Sequence, residues 1–192
     1  MLDILRSWII DQGLDLPVAD ILARSLIFVL IIILSLIAYF VAKYFILKGL
    51  TAIINRTTTQ WDDMMLKKKV FNRLAHLAPA MLVYMSISIP FEGYDWLIAL
   101  INGLVLIFII VMVVLALDAF LNATLAIYTT YEVSNRIPIK GFIQVLKLII
   151  YFASAIFIIS ILVNKTPVVL FTSLGAVTAI MMFIFKDDQL RS

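Results

Sequence analysis

The chain reads P-V-V-L-F-T-S-L-G-A-V-T-A-I-M-M-F-I-F-K-D from Pro167 to Asp187, a stretch that is apolar almost from end to end. Its first half collects small residues, whereas its second half, from Ile180 to Phe185, is bulky. Small side chains let helices approach one another closely inside a bilayer, where hydrophobicity gives helices little drive to associate. The pattern predicts a membrane-spanning helix that either packs within a bundle or lines a pore with a constriction. Composition alone favours packing.

The composition of the whole chain indicates a membrane protein. Of its 192 residues, 64% are hydrophobic and 14% are charged, and the mean hydropathy is +1.12. Soluble domains carry about 25% charged residues, so this chain lacks the polar surface that water requires. Because its apolar runs are continuous rather than alternating, they predict helices and not a β-barrel. We therefore expect an all-α integral membrane bundle.

Five apolar segments are candidates for transmembrane helices. A bilayer core of about 30 Å takes about 20 helical residues to cross. The third segment continues its helical pattern to about Tyr131, which is more than a bilayer requires. The five predicted spans lie at about 21–42, 71–89, 96–117, 142–163 and 167–187.

The placement of charge predicts how these spans are oriented. The loop 43–73 holds seven basic residues against two acidic ones, and the connection 132–141 is also basic. The turn from Pro90 to Trp96 is acidic, and so is the start of the chain. Because basic loops stay in the cytoplasm, we expect the N-terminus outside and the C-terminus in the cytoplasm.

Residues 1–19 precede the first span. Leu2, Leu5 and Ile9 recur at helical spacing, and Trp8 suits the membrane interface. An interfacial helix and an irregular polar lead-in are both consistent with this pattern.

A few polar or helix-breaking residues fall within or beside the predicted spans. Arg24 lies one turn inside the first span, where its side chain can extend to the headgroups, so we interpret it as an anchor. Pro79 predicts a kink in the second span. For His76, the single histidine, a proton switch is the less favoured interpretation. Asp118 falls where the third span leaves the membrane, so it need not be a buried carboxylate.

The sequence offers little for catalysis or metal binding. It has no cysteine and one histidine, and it contains no nucleotide-binding glycine motif and no hydrolase or zinc-protease motif. We therefore expect no enzyme, no metal site and no cofactor. The run from Lys67 to Lys69 lies beside a membrane, where a short basic run sets topology or contacts anionic lipids more often than it binds nucleic acid. The classes that remain are a channel, a transporter-like bundle and a structural membrane protein.

The segment from Ser173 to Asp187 resembles the pore helix of the mechanosensitive channel of small conductance family, in which an apolar helix with a central L-G-A passes into F-K-D. The resemblance is closest to the miniconductance-like branch with five spans, and it covers about residues 70–187. Three shorter elements also match: Phe71, Arg73, Leu74 and Ala75 before the second span; Leu117, Asp118, Leu121 and Asn122 after the third; and Pro138, Lys140, Gly141, Gln144 and Lys147 at the start of the fourth.

This resemblance implies a homo-oligomeric and largely non-selective ion channel, a heptamer in this family, that opens under bilayer tension during osmotic downshift. Its partners would be membrane lipids, its permeants inorganic ions, and its location the inner (plasma) membrane of a bacterium. Residues 20–163 would form a four-helix sensor region, and 164–187 would form the pore-lining helix.

The resemblance also implies roles for residues within the pore helix. The main hydrophobic seal would lie at Phe183, because alanine at the second seal position, Ala179, is a poor plug. A ring of apolar side chains can stop ions by dewetting. The implied pore-lining residues are Thr172, Ala176, Ala179 and Phe183, the helix-packing residues are Ser173, Gly175 and Ala176, and the hinge at the end of the helix is Lys186 and Asp187.

Beyond Asp187 the chain departs from the family, which continues with a second half-helix and a soluble β-rich cytoplasmic domain. In this chain only the short tail 188–192 follows. Two alternatives to a channel therefore stay open: a truncated structural or dominant-negative subunit without channel activity of its own, and an unrelated transporter-like helical bundle. The bundle predicts polar groups near the membrane midplane, which the sequence does not show.

Overall fold

A computed structural model describes residues 2–54, 70–129 and 139–189. Within these ranges the chain forms α-helices joined by short turns, and no strand is present. The all-α prediction is therefore confirmed. Residues 55–69 of the predicted basic loop 43–73, residues 132–138 of the connection 132–141 and residues 190–192 of the tail lie outside the described residues. The helices are α1 (Leu2–Asp11), α2 (Leu16–Ile54), α3 (Val70–Ala75), α4 (Leu77–Ser86), α5 (Asp95–Tyr128), α6 (Lys140–Leu162) and α7 (Pro167–Gln189).

Four of these helices are long and apolar enough to cross a membrane. They contain the predicted first, third, fourth and fifth spans. A helix of 20 residues is about 30 Å long, which matches the hydrocarbon core. The four stretches are Leu16–Ile46, Asp95–Tyr128, Lys140–Leu162 and Pro167–Lys186.

The predicted second span, residues 71–89, is not one continuous helix. It is divided into α3 and α4, with His76 between them. Pro79 has no N–H with which to bond the Ala75 carbonyl, and its ring collides with that carbonyl in a continuous helix. Pro79 instead occupies the first turn of α4, where a helix leaves its N–H groups without partners in any case. Between the two helices, the His76 N–H donates a hydrogen bond to the Arg73 carbonyl at 3.3 Å, which forms a turn.

α1 folds back along the first half of α2. Leu2 packs beside Ile27 and Ile31, whereas Ile9 packs beside Ala19 and Ala23, so the two helices are antiparallel. Gly13 makes the reversal at φ 87°, a conformation that glycine adopts without strain. The predicted apolar spacing of residues 1–19 is thus present as a helix whose apolar face covers another helix.

α6 ends in a motif that sets the course of α7. Asn164 takes φ 53°, its N–H bonds the Ile161 carbonyl at 3.2 Å, and the N–H of Lys165 bonds the Ser160 carbonyl at 2.9 Å. This pair of bonds satisfies carbonyls that a helix end leaves open, and asparagine tolerates the left-handed conformation. Pro167 then begins α7, because its fixed φ suits the first position of a helix.

The helices pack mainly with their neighbours along the chain. α4 lies between α2 and α5, α3 packs on α5 and α2, α6 packs on α5, and α7 packs on α6. The broken pair α3–α4 therefore occupies the place of the predicted second span. α7 stands at the end of this row.

Candidate functional site

α7 is the most exposed of the apolar helices. Every side chain from Phe171 to Lys186 is exposed, and none of its most apolar window is buried. Met182 is 76% exposed and Phe183 is 73% exposed. So large an apolar surface needs a cover other than water, which is either lipid or another protein helix.

The four predicted pore-lining residues share one face of α7. At about 100° per residue, Thr172, Ala176, Ala179 and Phe183 fall within an arc of about 60°. We call these four residues the α7 stripe. The predicted packing residues Ser173 and Gly175 flank the α7 stripe on opposite sides, while Ala176 lies within it.

The α7 stripe points away from the rest of the chain. Pro167 and Leu170 are the half-buried residues near the start of α7, where it meets α6. By the same helical geometry they lie on the face opposite the α7 stripe, together with Leu174 and Met181. At its start α7 therefore turns its bulky face to α6, whereas from Phe171 onward both faces are exposed, including the face with small side chains.

The small side chains beside the α7 stripe meet nothing within the chain. A Cβ placed on Gly175 would have no atom within 4 Å. Thr172 and Ser173 donate their hydroxyls to the carbonyls of Val168 and Leu170, at 2.8 and 2.9 Å. These hydroxyls need no water or ligand, so the face can pack closely against another helix.

The predicted hinge residues lie in regular helix. α7 continues through Lys186 and Asp187 to Gln189. The side chains of Ala179, Met182, Phe183 and Lys186 border an open groove of about 220 Å³ along this end of the helix. Bending at Lys186 and Asp187 stays a prediction.

A second candidate site joins α5 to α6, and we call Asp118, Asn122, Lys147 and Tyr151 the inner polar cluster. Lys147 Nζ lies 2.7 Å from Asp118 Oδ1 and donates to Asn122 Oδ1 at 2.7 Å. The Asn122 amide donates to Asp118 Oδ2 at 2.9 Å, and the Tyr151 hydroxyl donates to Asp118 Oδ1 at 2.8 Å. The carboxylate is fully engaged, so the cluster fits a structural contact better than acid–base chemistry.

The contacts of Asp118 were not anticipated from the sequence. Asp118 was expected at a helix exit and its partners were not predicted, but its side chain is 20% exposed and paired with Lys147. The signal that could have found the pair is spacing: Asp118 and Asn122 are four residues apart on one helix, and so are Lys147 and Tyr151 on the other. On α3, Arg73 adds a hydrogen bond to the Leu115 carbonyl, one turn before Asp118.

A third group, the outer polar cluster, consists of Arg6, Asp20 and Arg24 with the carbonyls of Pro90 and Glu92. Arg24 donates to Asp20 at 2.9 Å and to the two carbonyls at 3.0 and 2.8 Å. Arg6 also donates a hydrogen bond to Asp20, and this bond raises the pKa of the Arg6 guanidinium above its ordinary value. Arg24 thus joins Asp20 of its own helix to the turn between α4 and α5, and its role as an anchor at the headgroups stays a prediction.

Metal ligation finds no support in the part of the chain that the structure describes. In residues 2–54, 70–129 and 139–189, no group of three or more His, Cys, Asp or Glu side chains could hold a metal ion. Together, the long apolar helices and the paired charges define a helical membrane protein. No family model matches the chain, and no solved structure matches it significantly. The resemblance to mechanosensitive channels therefore stays a prediction from the sequence.

Proposed function

We propose that this chain is the membrane domain of a mechanosensitive ion channel of the small-conductance type, with α7 as its pore helix. The observation that carries the proposal is the uncovered α7 stripe, which combines small side chains with one bulky apolar residue. Lipid alone gives no reason for small residues to gather on one side of a helix. A second copy of α7 does, because small residues let helix backbones approach.

A ring of α7 helices would use the α7 stripe and the packing residues differently. The α7 stripe faces the axis, while Ser173 and Gly175 meet the two neighbouring copies. Phe183 is the widest residue of the α7 stripe, so the lumen narrows there, toward the end of the helix. Apolar side chains at such a narrowing stop ions by dewetting. Seven copies are expected from the family resemblance, with inorganic ions as permeants.

In this proposal the chain has five spans, with the N-terminus outside and the C-terminus in the cytoplasm of a bacterial cell. α3 and α4 together form the second span, broken at His76. The basic loop 43–73 and the connection 132–141 lie inside. The four-helix sensor region 20–163, which comprises α2 to α6, faces the lipid and responds to tension and thickness of the bilayer.

Cysteine labelling of α7 tests the proposed pore, because the chain has no cysteine of its own. The variant Ala179→Cys places a thiol on the α7 stripe, and Met181→Cys places one on the opposite face as a matched control. Both are reconstituted in liposomes and patched under suction, before and after addition of a cationic thiol reagent. We expect stretch-activated current that the reagent reduces in Ala179→Cys and leaves unchanged in Met181→Cys.

Two results would contradict the proposal. One is the absence of any stretch-activated current from the unsubstituted chain. The other is equal modification of both variants, since a lipid-facing or randomly oriented α7 would not distinguish Ala179 from Met181. Labelling of Glu92→Cys from outside intact cells, with protection of Lys68→Cys, checks the proposed orientation; the reverse pattern would contradict it.

A further inference from the structure

The contact between α5 and α6 connects α7 to the rest of the described chain. α7 packs against α6, and α6 packs in turn against α5. If α7 lines the pore, a force on the packed helices α1 to α5 acts on it through this contact as well as along the chain. The strength of the contact then helps to decide when α7 moves.

One part of the α5–α6 contact brings Gly103 beside Ile161 at an ordinary van der Waals distance. A Cβ placed on Gly103 of α5 would lie 3.5 Å from Cγ2 of Ile161 on α6. Apolar contacts of this kind hold helices together inside a bilayer but specify their register weakly, since lipid tails are equally apolar. An open groove of about 700 Å³ also borders Gly103 and Ile161, so this part of the contact fixes the register less firmly than a set of hydrogen bonds would.

Nearer the other end of α6, the inner polar cluster specifies one register. Each helix contributes two polar side chains one turn apart, and Asp118 accepts from Lys147, Tyr151 and Asn122 at once. A slide of one turn, about 5.4 Å, would move one residue of α6 away from Asp118 and leave only the other near it, so the complete set of bonds forms in a single register. Polar contacts that must all be made together fix a register more sharply than apolar ones.

The position of the cluster along the helices makes its opening reversible. Lys147 lies seven residues, or about 10 Å, from the first residue of α6. An unpaired charge in hydrocarbon is very unfavourable, but one near a helix end can extend to water. The structure shows the cluster paired between the helices, and a hydrated arrangement near the helix end is the alternative that we expect when the helices separate.

We propose that the inner polar cluster is a latch that holds the α6–α7 hairpin in register against α5 and sets the tension at which α7 moves. The latch rests on the proposed function of α7. Its members position α7 and do not touch the permeating ions, so their loss changes the activation tension and leaves the single-channel conductance unchanged.

The test combines two readouts on the same variants of the full chain. Lys147→Met and Asp118→Asn each break the ion pair, and the exchange Asp118→Lys with Lys147→Asp restores it with the charges reversed. Lys140→Met removes an exposed charge from the same helix and serves as the control. The first readout is the activation tension under suction. The second is disulfide formation between Gly103→Cys and Ile161→Cys, which reports the register of α5 and α6 without any current.

We expect each single variant to lower the activation tension and to slow disulfide formation about fivefold, the change that a coupling of about 1 kcal/mol produces. The exchange returns both values toward those of the parent, and Lys140→Met changes neither. Tyr151→Phe, which removes one hydrogen bond, gives a smaller change in the same direction.

Three outcomes decide between the two proposals. Unchanged disulfide formation in both single variants overturns the latch, because the cluster then does not set the register. If the parent conducts and the single variants have the same activation tension as the parent, the latch is also overturned, but the channel proposal is not. A parent with no stretch-activated current overturns the proposed function, and the latch with it.

Discussion

Phe183 is the one bulky residue on a face that is otherwise small. It is 73% exposed, and the other members of the α7 stripe are threonine and alanine. In the proposed ring, each copy contributes one phenylalanine to the narrowing, so the closed state depends on a single side chain per subunit. Replacing its aromatic surface with a polar group would stabilise water at that level.

We predict that Phe183→Ser produces a channel that opens at lower tension and leaks at rest. Serine can hydrogen-bond water and leaves a wider lumen than phenylalanine. Both changes make it easier for water to occupy the narrowing, so the barrier to ions falls. The growth rate of cells in which the variant is expressed measures the leak, and patch-clamp recording under suction measures the activation tension. Phe185→Ser is the control, because Phe185 lies on the bulky face of α7 and is 64% exposed; equal effects of the two substitutions would exclude an axial position for Phe183.

At the scale of elements, two glycines on apolar helices have different surroundings. Gly103 lies where α5 meets α6, with Ile161 at 3.5 Å from the position of a Cβ. Gly175 lies on α7 with open space around it. The first glycine fits a contact inside the chain, and the second is available for a contact between chains.

We predict that Gly175→Leu weakens assembly while leaving the fold of the single chain intact. The added side chain meets no atom of its own chain but prevents close approach of a second α7. Light scattering on the detergent-solubilised protein should show a shift toward smaller species with an unchanged melting temperature. Gly103→Leu should do the reverse, lowering the melting temperature, because overpacking at Ile161 costs about 1–3 kcal/mol. Loss of stability in Gly175→Leu would contradict an uncovered face.

The elements were largely predictable because hydrophobic continuity dominates local structure in lipid. The second span is the exception, and its cause is one residue. Pro79 was recognised as a kink, but the apolar run around it does not reveal that the helix stops at Ala75 and begins again at Leu77. The first span was expected to end near residue 42, whereas α2 continues to Ile54, because a basic residue such as Lys43 is a good helix former as well as a topology signal.

At the scale of the whole molecule, polar clusters join elements that are distant in the sequence. The outer polar cluster ties α1 and α2 to the turn between α4 and α5, and Arg24 stands at its centre. Its guanidinium also lies 5.5 Å from the centre of the Tyr94 ring. The contact between Arg24 and the Pro90 carbonyl could not be predicted from the sequence, because the two residues are distant in the chain and no spacing pattern relates them. Partners four residues apart, such as Asp20 and Arg24, do carry one.

We predict that Arg24→Lys destabilises the protein by about 1–2 kcal/mol, although it keeps the charge. A lysine ammonium cannot bond Asp20 and two separate carbonyls with the fixed geometry of a guanidinium. The estimate is held low because the Arg24 side chain is 23% exposed and partly screened. A lower melting temperature measures it. Lys165→Arg, in the exposed turn before α7, is the control, and equal stability of Arg24→Lys and the parent would show that charge alone suffices.

The break between α3 and α4 has a consequence for the two leaflets of a bilayer. A continuous helix tilts as one rod, so a tilt imposed by one leaflet also reorients the part of the helix in the other leaflet. If α3 and α4 form the second span as proposed, the break at His76 allows α4 to follow the leaflet beside the Pro90 turn and α3 to follow the opposite leaflet. In the proposed orientation, a lipid inserted into one leaflet alone would therefore reorient one segment first, and the response to an asymmetric bilayer would differ from the response to uniform stretch.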